Sequence, residues 1–225
     1  MKQPARVWLL RHAETSTPAV FHGAESDVGL SALGHRQALA AAEWFRDLSP
    51  TAVVSSGMRR AADTAAPIAS TCGVPHLVEP GLHERRVGQL CGLSFSMTEG
   101  PWAETIRAWA AGDSAYTSHG AESYDDVAVR VLAAWERVVA AHAGGRVVIV
   151  AHGVVCKVLL LSLLSGWDHT GWVKIGRVAN LAVSELVPDG AGWRAERLLE
   201  VPPPVAALTG GRPTEIGGSE TRSEA

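Results

Sequence analysis

Short apolar runs alternate along this chain with segments whose apolar side chains recur every three or four residues. Val7–Leu10 is a four-residue apolar run that stops at Arg11-His12, and it predicts a strand. From Leu30 to Leu48, helical spacing places Leu33, Ala40/Ala41, Trp44/Phe45 and Leu48 on one stripe, with Ser31 suited to cap the N-terminus. Ala52–Val54 predicts a second strand, and Met58–Thr71 a second helix that ends before Gly73. His76–Val78 predicts a third strand. Tyr124–Ala143 reads as a long amphipathic helix closed by Gly144-Gly145, followed by a β-branched strand, Val147–Val150, and a buried helix, Val154–Leu164. Leu181–Val187 and Trp193–Leu199 read as two last strands joined at Pro188-Asp189-Gly190. Residues 93–120 are less regular and predict a short helix and a cover over a functional site. From Val201 onward Pro, Gly, Ser and Glu dominate, which predicts one domain over residues 1–200 and a disordered tail over 201–225.

Strands alternating with helices argue for a three-layer α/β/α sandwich around a mainly parallel sheet that ends in an antiparallel edge. In such sheets ligands bind beyond the carboxyl ends of the strands, where the strand order reverses. Composition narrows the class. The 225 residues are 47% hydrophobic and 19% charged with a formal net charge of −3, so the chain is globular rather than disordered. Seventeen of the 20 basic residues are Arg, with no basic run, which argues against a nucleic-acid binder. The longest apolar segment, Val147–Leu164, contains His152 and Lys157 and so does not read as a membrane span. Three widely spaced cysteines, Cys72, Cys91 and Cys156, without a CxxC pair, point to a reducing compartment, and the N-terminus does not read as a signal peptide; the expected location is the cytoplasm.

Two of the strands run into a histidine. VWLL leads into Arg11-His12, and VVIV leads into Ala151-His152-Gly153, so the two imidazoles converge if the strands are neighbours. The strand Val53-Val54 ends in SSGMRRAADTA, which sets Arg59-Arg60 in the first turn of a helix.

These segments carry a resemblance. LLRHAET (Leu9–Thr15) looks like the signature of the histidine phosphatase superfamily, which includes the cofactor-dependent phosphoglycerate mutases. In order along the chain, DVGLSALGHRQA resembles the family's DxxLxxxGxxQA, SSGMRRAADTA its SSPLxRAxxTA, and LHERRVGQLCG its LxExxxGxWEG. GAES (Gly120–Ser123) resembles its GES loop, and VIVAHGVVCKVLL its VxHGGxxR segment.

The resemblance implies a phosphoglycerate mutase-like fold and a set of roles. His12 would be the nucleophile, with one ring nitrogen unprotonated and the other donating to backbone. Arg11 and Arg60 would bind phosphate bidentately and keep His12 neutral, with Arg60 rather than Arg59 at the family's arginine position. His152 would hydrogen-bond the transferring phosphoryl group, helped by the N-terminus of the following helix. Glu84 matches the acid/base position, where a neighbouring phosphate dianion favours a held proton. Thr15, His22, Gly23, Arg85, Gly153 and Val154 are candidate substrate contacts, with Ser31, His83, Glu122 and Ser123 as further contacts or supports and Glu14 as a loop support. No metal or organic cofactor is implied. The expected partner is a small phosphorylated metabolite, with no nucleic acid and no membrane; the edge strand offers pairing to a second copy, a homodimer.

The chain departs from the family pattern in several places. Ala13 replaces Gly, a change that a turn with negative φ accommodates, and Gly57 replaces Pro. Leu90-Cys91-Gly92 stands for the WEG-like element, and Val154 and Lys157 replace a second Gly and an Arg. Pro18 sits where the family's mutases have a phosphate-binding Asn, which favours a phosphatase over a mutase-type isomerase. Two other readings stay open at this point. One is a phosphate-binding homologue with weak or no catalysis. The other is a metallohydrolase with His12, His152, His22 and Glu84 as ligands, against which HExxH spacing is absent and two arginines would repel a cation.

Overall fold

The strand β1 (Arg6–Arg11) is apolar on both faces over Val7–Leu10, as a central parallel strand must be. Val7 and Leu9 enter one core layer, and Trp8 and Leu10 enter the other. In the computed structural model, which describes residues 5–94, 99–190 and 192–209, five further strands complete the sheet: β2 (Ala52–Ser55), β3 (His76–Val78), β4 (Arg146–Ala151), β5 (Val183–Asp189) and β6 (Gly192–Glu200). Their order is β3-β2-β4-β1-β5-β6. The first four strands run parallel, and β5 pairs antiparallel with both β1 and β6.

From β1 the chain crosses to β2 and on to β3, then returns to insert β4 between β2 and β1. That reversal places the carboxyl ends of β1 and β4 side by side, with Arg11 in register with Ala151. The ladder continues one bond further, since His12 N donates to Ala151 O at 2.9 Å. The two histidines therefore leave the sheet together at its switch point.

Helices α1 (Ala32–Leu48) and α2 (Arg59–Cys72) cover the face of Trp8, Leu10, Val148 and Val150. Helices α3 (Glu99–Ala110), α4 (Tyr124–Ala141) and α5 (Gly153–Leu163) lie over Val7, Leu9, Val147 and Ile149. Ser31 caps α1 as its sequence predicts, its side chain accepting from Gly34 N at 2.9 Å. No helix among the described residues is long and apolar enough to cross a membrane.

Two local expectations need correction. The last two strands extend through Pro188 and Asp189, which pair with Trp193 and Gly192, so the turn is tighter than the Pro188-Asp189-Gly190 signal suggests. The tail beyond Val201 is not structureless from its start, because Pro203–Leu208 forms a sixth helix, α6. Proline in its first turn sets φ for a helix, and Val205 is buried in the layer that holds α1 and α2. Residues 210–225 of that expected tail lie outside the described residues.

Candidate active site

His12 and His152 meet at the switch point with ring centroids 5.3 Å apart and planes at 60°. Both are buried. His12 Nδ1 is 2.7 Å from the carbonyl oxygen of Ala13, and a carbonyl can only accept, so Nδ1 carries the proton and Nε2 keeps its lone pair. Burial, and then the charges of Arg11 and Arg60, hold His12 well below the usual imidazole value. Neither nitrogen of His152 has a hydrogen-bond partner among the described residues. Burial again leads in keeping His152 neutral, followed by Arg60, His12 and Arg11.

The cations come from two elements. Arg11, at the end of β1, donates to Val178 O at 2.9 Å, and its buried Nε has no partner among the described residues. Desolvation pulls this guanidinium down to about 10, which leaves it charged at neutral pH. Arg60, in the first turn of α2, is 2% exposed and donates to Ser26 O at 2.9 Å and to Gly23 O at 2.8 Å. Arg59 points the other way, toward Asp63, and is exposed. The burial contrast separates the two arginines as the motif does. Glu84 accepts from Arg85 N at 2.8 Å and from Val154 N, in the first turn of α5, at 3.3 Å. Its charge is felt by both Arg11 and Arg60. Two neutral imidazoles, two guanidiniums and one carboxylate thus share one crevice with an excess of positive charge, a setting that suits a phosphate dianion.

The model of the histidine phosphatase superfamily (branch 1) matches residues 7–200. The chain belongs to this superfamily. A metal-independent phosphoserine phosphatase of Arabidopsis thaliana is 37% identical over 161 residues, which cover 69% of this chain and 67% of that protein. A glucosyl-3-phosphoglycerate phosphatase of Mycolicibacterium vanbaalenii is 33% identical over 189 residues, covering 80% and 83%. The native structure of a mycobacterial glucosyl-3-phosphoglycerate phosphatase superposes with a TM-score of 0.78 at 30% identity, covering 88% of this chain and all of that one. Some relatives are longer: the chain spans about half, 52%, of a bifunctional protein of Mycobacterium tuberculosis.

The remaining candidates of this histidine phosphatase fall into two groups. Gly153 and Val154 open α5 beside the paired histidines, and Gly153 lies against the Arg11 side chain. Gly23, at a φ of +54°, presents its carbonyl to Arg60, so it shapes the arginine rather than the crevice directly. His22 is held by Ser26 and Thr17 at about 3 Å, and Thr15 is buried in a bridge to Leu30. Arg85 is buried with its guanidinium 5.1 and 5.3 Å from the rings of Trp102 and Trp109, and its Nε donates to Glu122 O. Ala13 is not among the described residues with positive φ, so the replacement of Gly there is free of strain. Glu14 supports the loop after His12: its side chain accepts from Ser31 Oγ at 2.6 Å, and its N–H donates to Gln37 at 3.0 Å. Among the described residues no three His, Cys, Asp or Glu side chains are grouped to hold a metal ion.

Two supports carry no motif signal. Asn180, in the segment before β5, donates to His12 O at 2.9 Å. Arg130 of α4 donates to Gly81 O, His83 O and Glu84 O at 2.7 to 3.1 Å and grips both oxygens of Glu122 at 3.0 and 2.9 Å. The sequence held one clue to Arg130: it interrupts the buried stripe of Val127, Val131 and Ala134, where a charge needs a partner.

Proposed function

We propose that this histidine phosphatase hydrolyses a small phosphomonoester through a covalent phosphohistidine on His12. One observation carries the reading. The Nδ1–H of His12 is committed to the Ala13 carbonyl, leaving Nε2 as an unprotonated nucleophile between Arg11 and Arg60. The Nε2 lone pair attacks phosphorus, the bond from phosphorus to the ester oxygen breaks, and Glu84 gives its proton to the leaving alkoxide. Water then attacks the phosphorus of phospho-His12, Glu84 takes the water proton, and inorganic phosphate leaves with His12 neutral again. Arg11 and Arg60 neutralise the phosphoryl oxygens, and His152 donates a hydrogen bond to them. The relatives' substrates, phosphoserine and glucosyl-3-phosphoglycerate, are the first to try. The three cysteines stand apart as free thiols, which supports a cytoplasmic setting.

The test is a panel of phosphomonoesters turned over in the presence of a chelator by the native protein and by His12→Ala, with acid- and base-quenched samples probed for a phosphoramidate on His12. Chelator-resistant turnover lost in the variant, with a base-stable and acid-labile phosphoprotein, is expected. Turnover unchanged in His12→Ala overturns the mechanism, and dependence on added zinc returns the metallohydrolase.

A further inference from the structure

Helix α5 carries one cation that the proposed chemistry does not use. Lys157 is partly buried, with its ammonium 4.6 Å from the ring centre of Trp172. Among the described residues it has neither a hydrogen-bond acceptor nor a carboxylate partner. Desolvation with no compensating charge pulls it down to about 8, still largely protonated at neutral pH. A partly desolvated ammonium without a counter-charge is costly in a free protein, and a ring face compensates it only in part.

Its position says where a counter-charge would come from. Lys157 lies three residues after Val154 and four after Gly153, so each of the two is its neighbour on the surface of α5. Helical side chains lean toward the N-terminus, which directs Lys157 toward the turn whose Val154 N–H meets Glu84. The wall beside it is aromatic. Trp172 is 4.8 Å from Trp109 and 6.1 Å from Trp102, and the Arg85 guanidinium lies over both of those rings next to Glu84. Glu84 is the group assigned to the leaving alcohol, so this wall borders the leaving-group side rather than the phosphoryl side.

We propose that Lys157 is a specificity residue that binds a carboxylate on the leaving alcohol of the substrate. Its partner class is a phosphomonoester with an anionic group near the ester oxygen. The inference rests on the phosphomonoester reading above and deepens it.

The test compares O-phosphoserine with O-phosphoethanolamine, which differ only by the carboxylate. Calorimetric titration into His12→Ala protein measures binding without turnover. Tighter binding of O-phosphoserine by roughly tenfold is expected, and Lys157→Met in the same background should erase that difference while leaving O-phosphoethanolamine within about twofold. Lys157→Arg should keep the preference, which separates a charge effect from damage to the fold. Equal affinity for the two ligands, no binding of either, or an equal loss of both in Lys157→Met overturns the proposal. Kinetics on p-nitrophenyl phosphate with the native protein test the phosphatase reading separately: its failure there leaves the binding comparison intact.

Discussion

Arg130 Nη2 donates to the carbonyl oxygen of Glu84 at 3.1 Å, so a helix on one face of the sheet holds the loop that carries the proposed acid. The same guanidinium grips Glu122, whose carboxyl is desolvated yet stays below its ordinary value because Arg130 and the Arg86 N–H bond it. Arg130→Ala leaves three loop carbonyls without this donor and leaves Glu122 with the Arg86 N–H alone. The expected cost is about 2–4 kcal/mol in unfolding free energy, the lower part of the range for a buried pair because the arginine side chain is 17% exposed. A lysine ammonium cannot reproduce the guanidinium fork, so Arg130→Lys should recover only part of the stability and of kcat. Urea unfolding and steady-state kinetics check this together; full activity in Arg130→Lys contradicts a positioning role that depends on the fork.

The paired histidines should separate in kinetics. Removing the proposed nucleophile with His12→Ala is expected to lower kcat by about 10^3-fold or more, and removing the proposed neutral donor with His152→Ala by roughly 10^2- to 10^3-fold. Only His152→Ala should still accumulate a phosphorylated protein after rapid quenching. A phosphohistidine in His12→Ala would reassign the nucleophile.

The strand ends were legible because a central strand of a parallel sheet is apolar on both faces, so Val7–Leu10 and Val147–Val150 stop abruptly where polar chemistry begins. Arg60 and Glu84 were legible only through motifs, since nothing in helix spacing marks one arginine of Arg59-Arg60 as buried. Arg130 and Asn180 carry no such mark because their roles depend on which loop each element docks against, 46 and 168 residues away in sequence. Helix α6 is hidden in the sequence for a related reason. A Pro-rich hexapeptide has no helical periodicity to read, and one buried valine against the α1 and α2 layer holds it in place.

Gly34 offers a test of the loop that carries His12. In an ordinary helix interior, Gly→Ala stabilises by up to about 1 kcal/mol. Here a Cβ on Gly34 would come within 2.0 Å of the backbone carbonyl oxygen of Glu14, two residues after His12. Backbone cannot swing aside as a flexible side chain can, so α1 or the loop must shift. Gly34→Ala should therefore destabilise the protein by about 1–3 kcal/mol and lower kcat, despite improved helix propensity. A variant that is more stable and fully active would show that the loop has freedom the structure denies it.

The buried neutral histidines also set how stability depends on pH. His12 and His152 are both held well below 6.5 in the fold, chiefly by desolvation, whereas the unfolded chain titrates them near 6.5. Below that pH the unfolded state binds more protons than the native state, so the equilibrium moves toward unfolding as acid is added. Their contribution is complete above about pH 6.5 and declines by up to about 1.4 kcal/mol per pH unit for each histidine until the lowered native values are reached. His22 and His76, lowered by partial burial, act in the same direction with smaller weight. Glu79, Glu122, Asp126 and Asp168 are held below their ordinary carboxylate values, so they enter only at more acid pH and leave the window from 5 to 6.5 to the histidines. Urea midpoints measured across pH 5 to 7.5 should fall steadily below 6.5, and His152→Gln should flatten the slope by nearly half. A midpoint that stays level from 7.5 to 5 would mean that the two rings accept protons in the native crevice, and His12 would then lose the lone pair the mechanism requires.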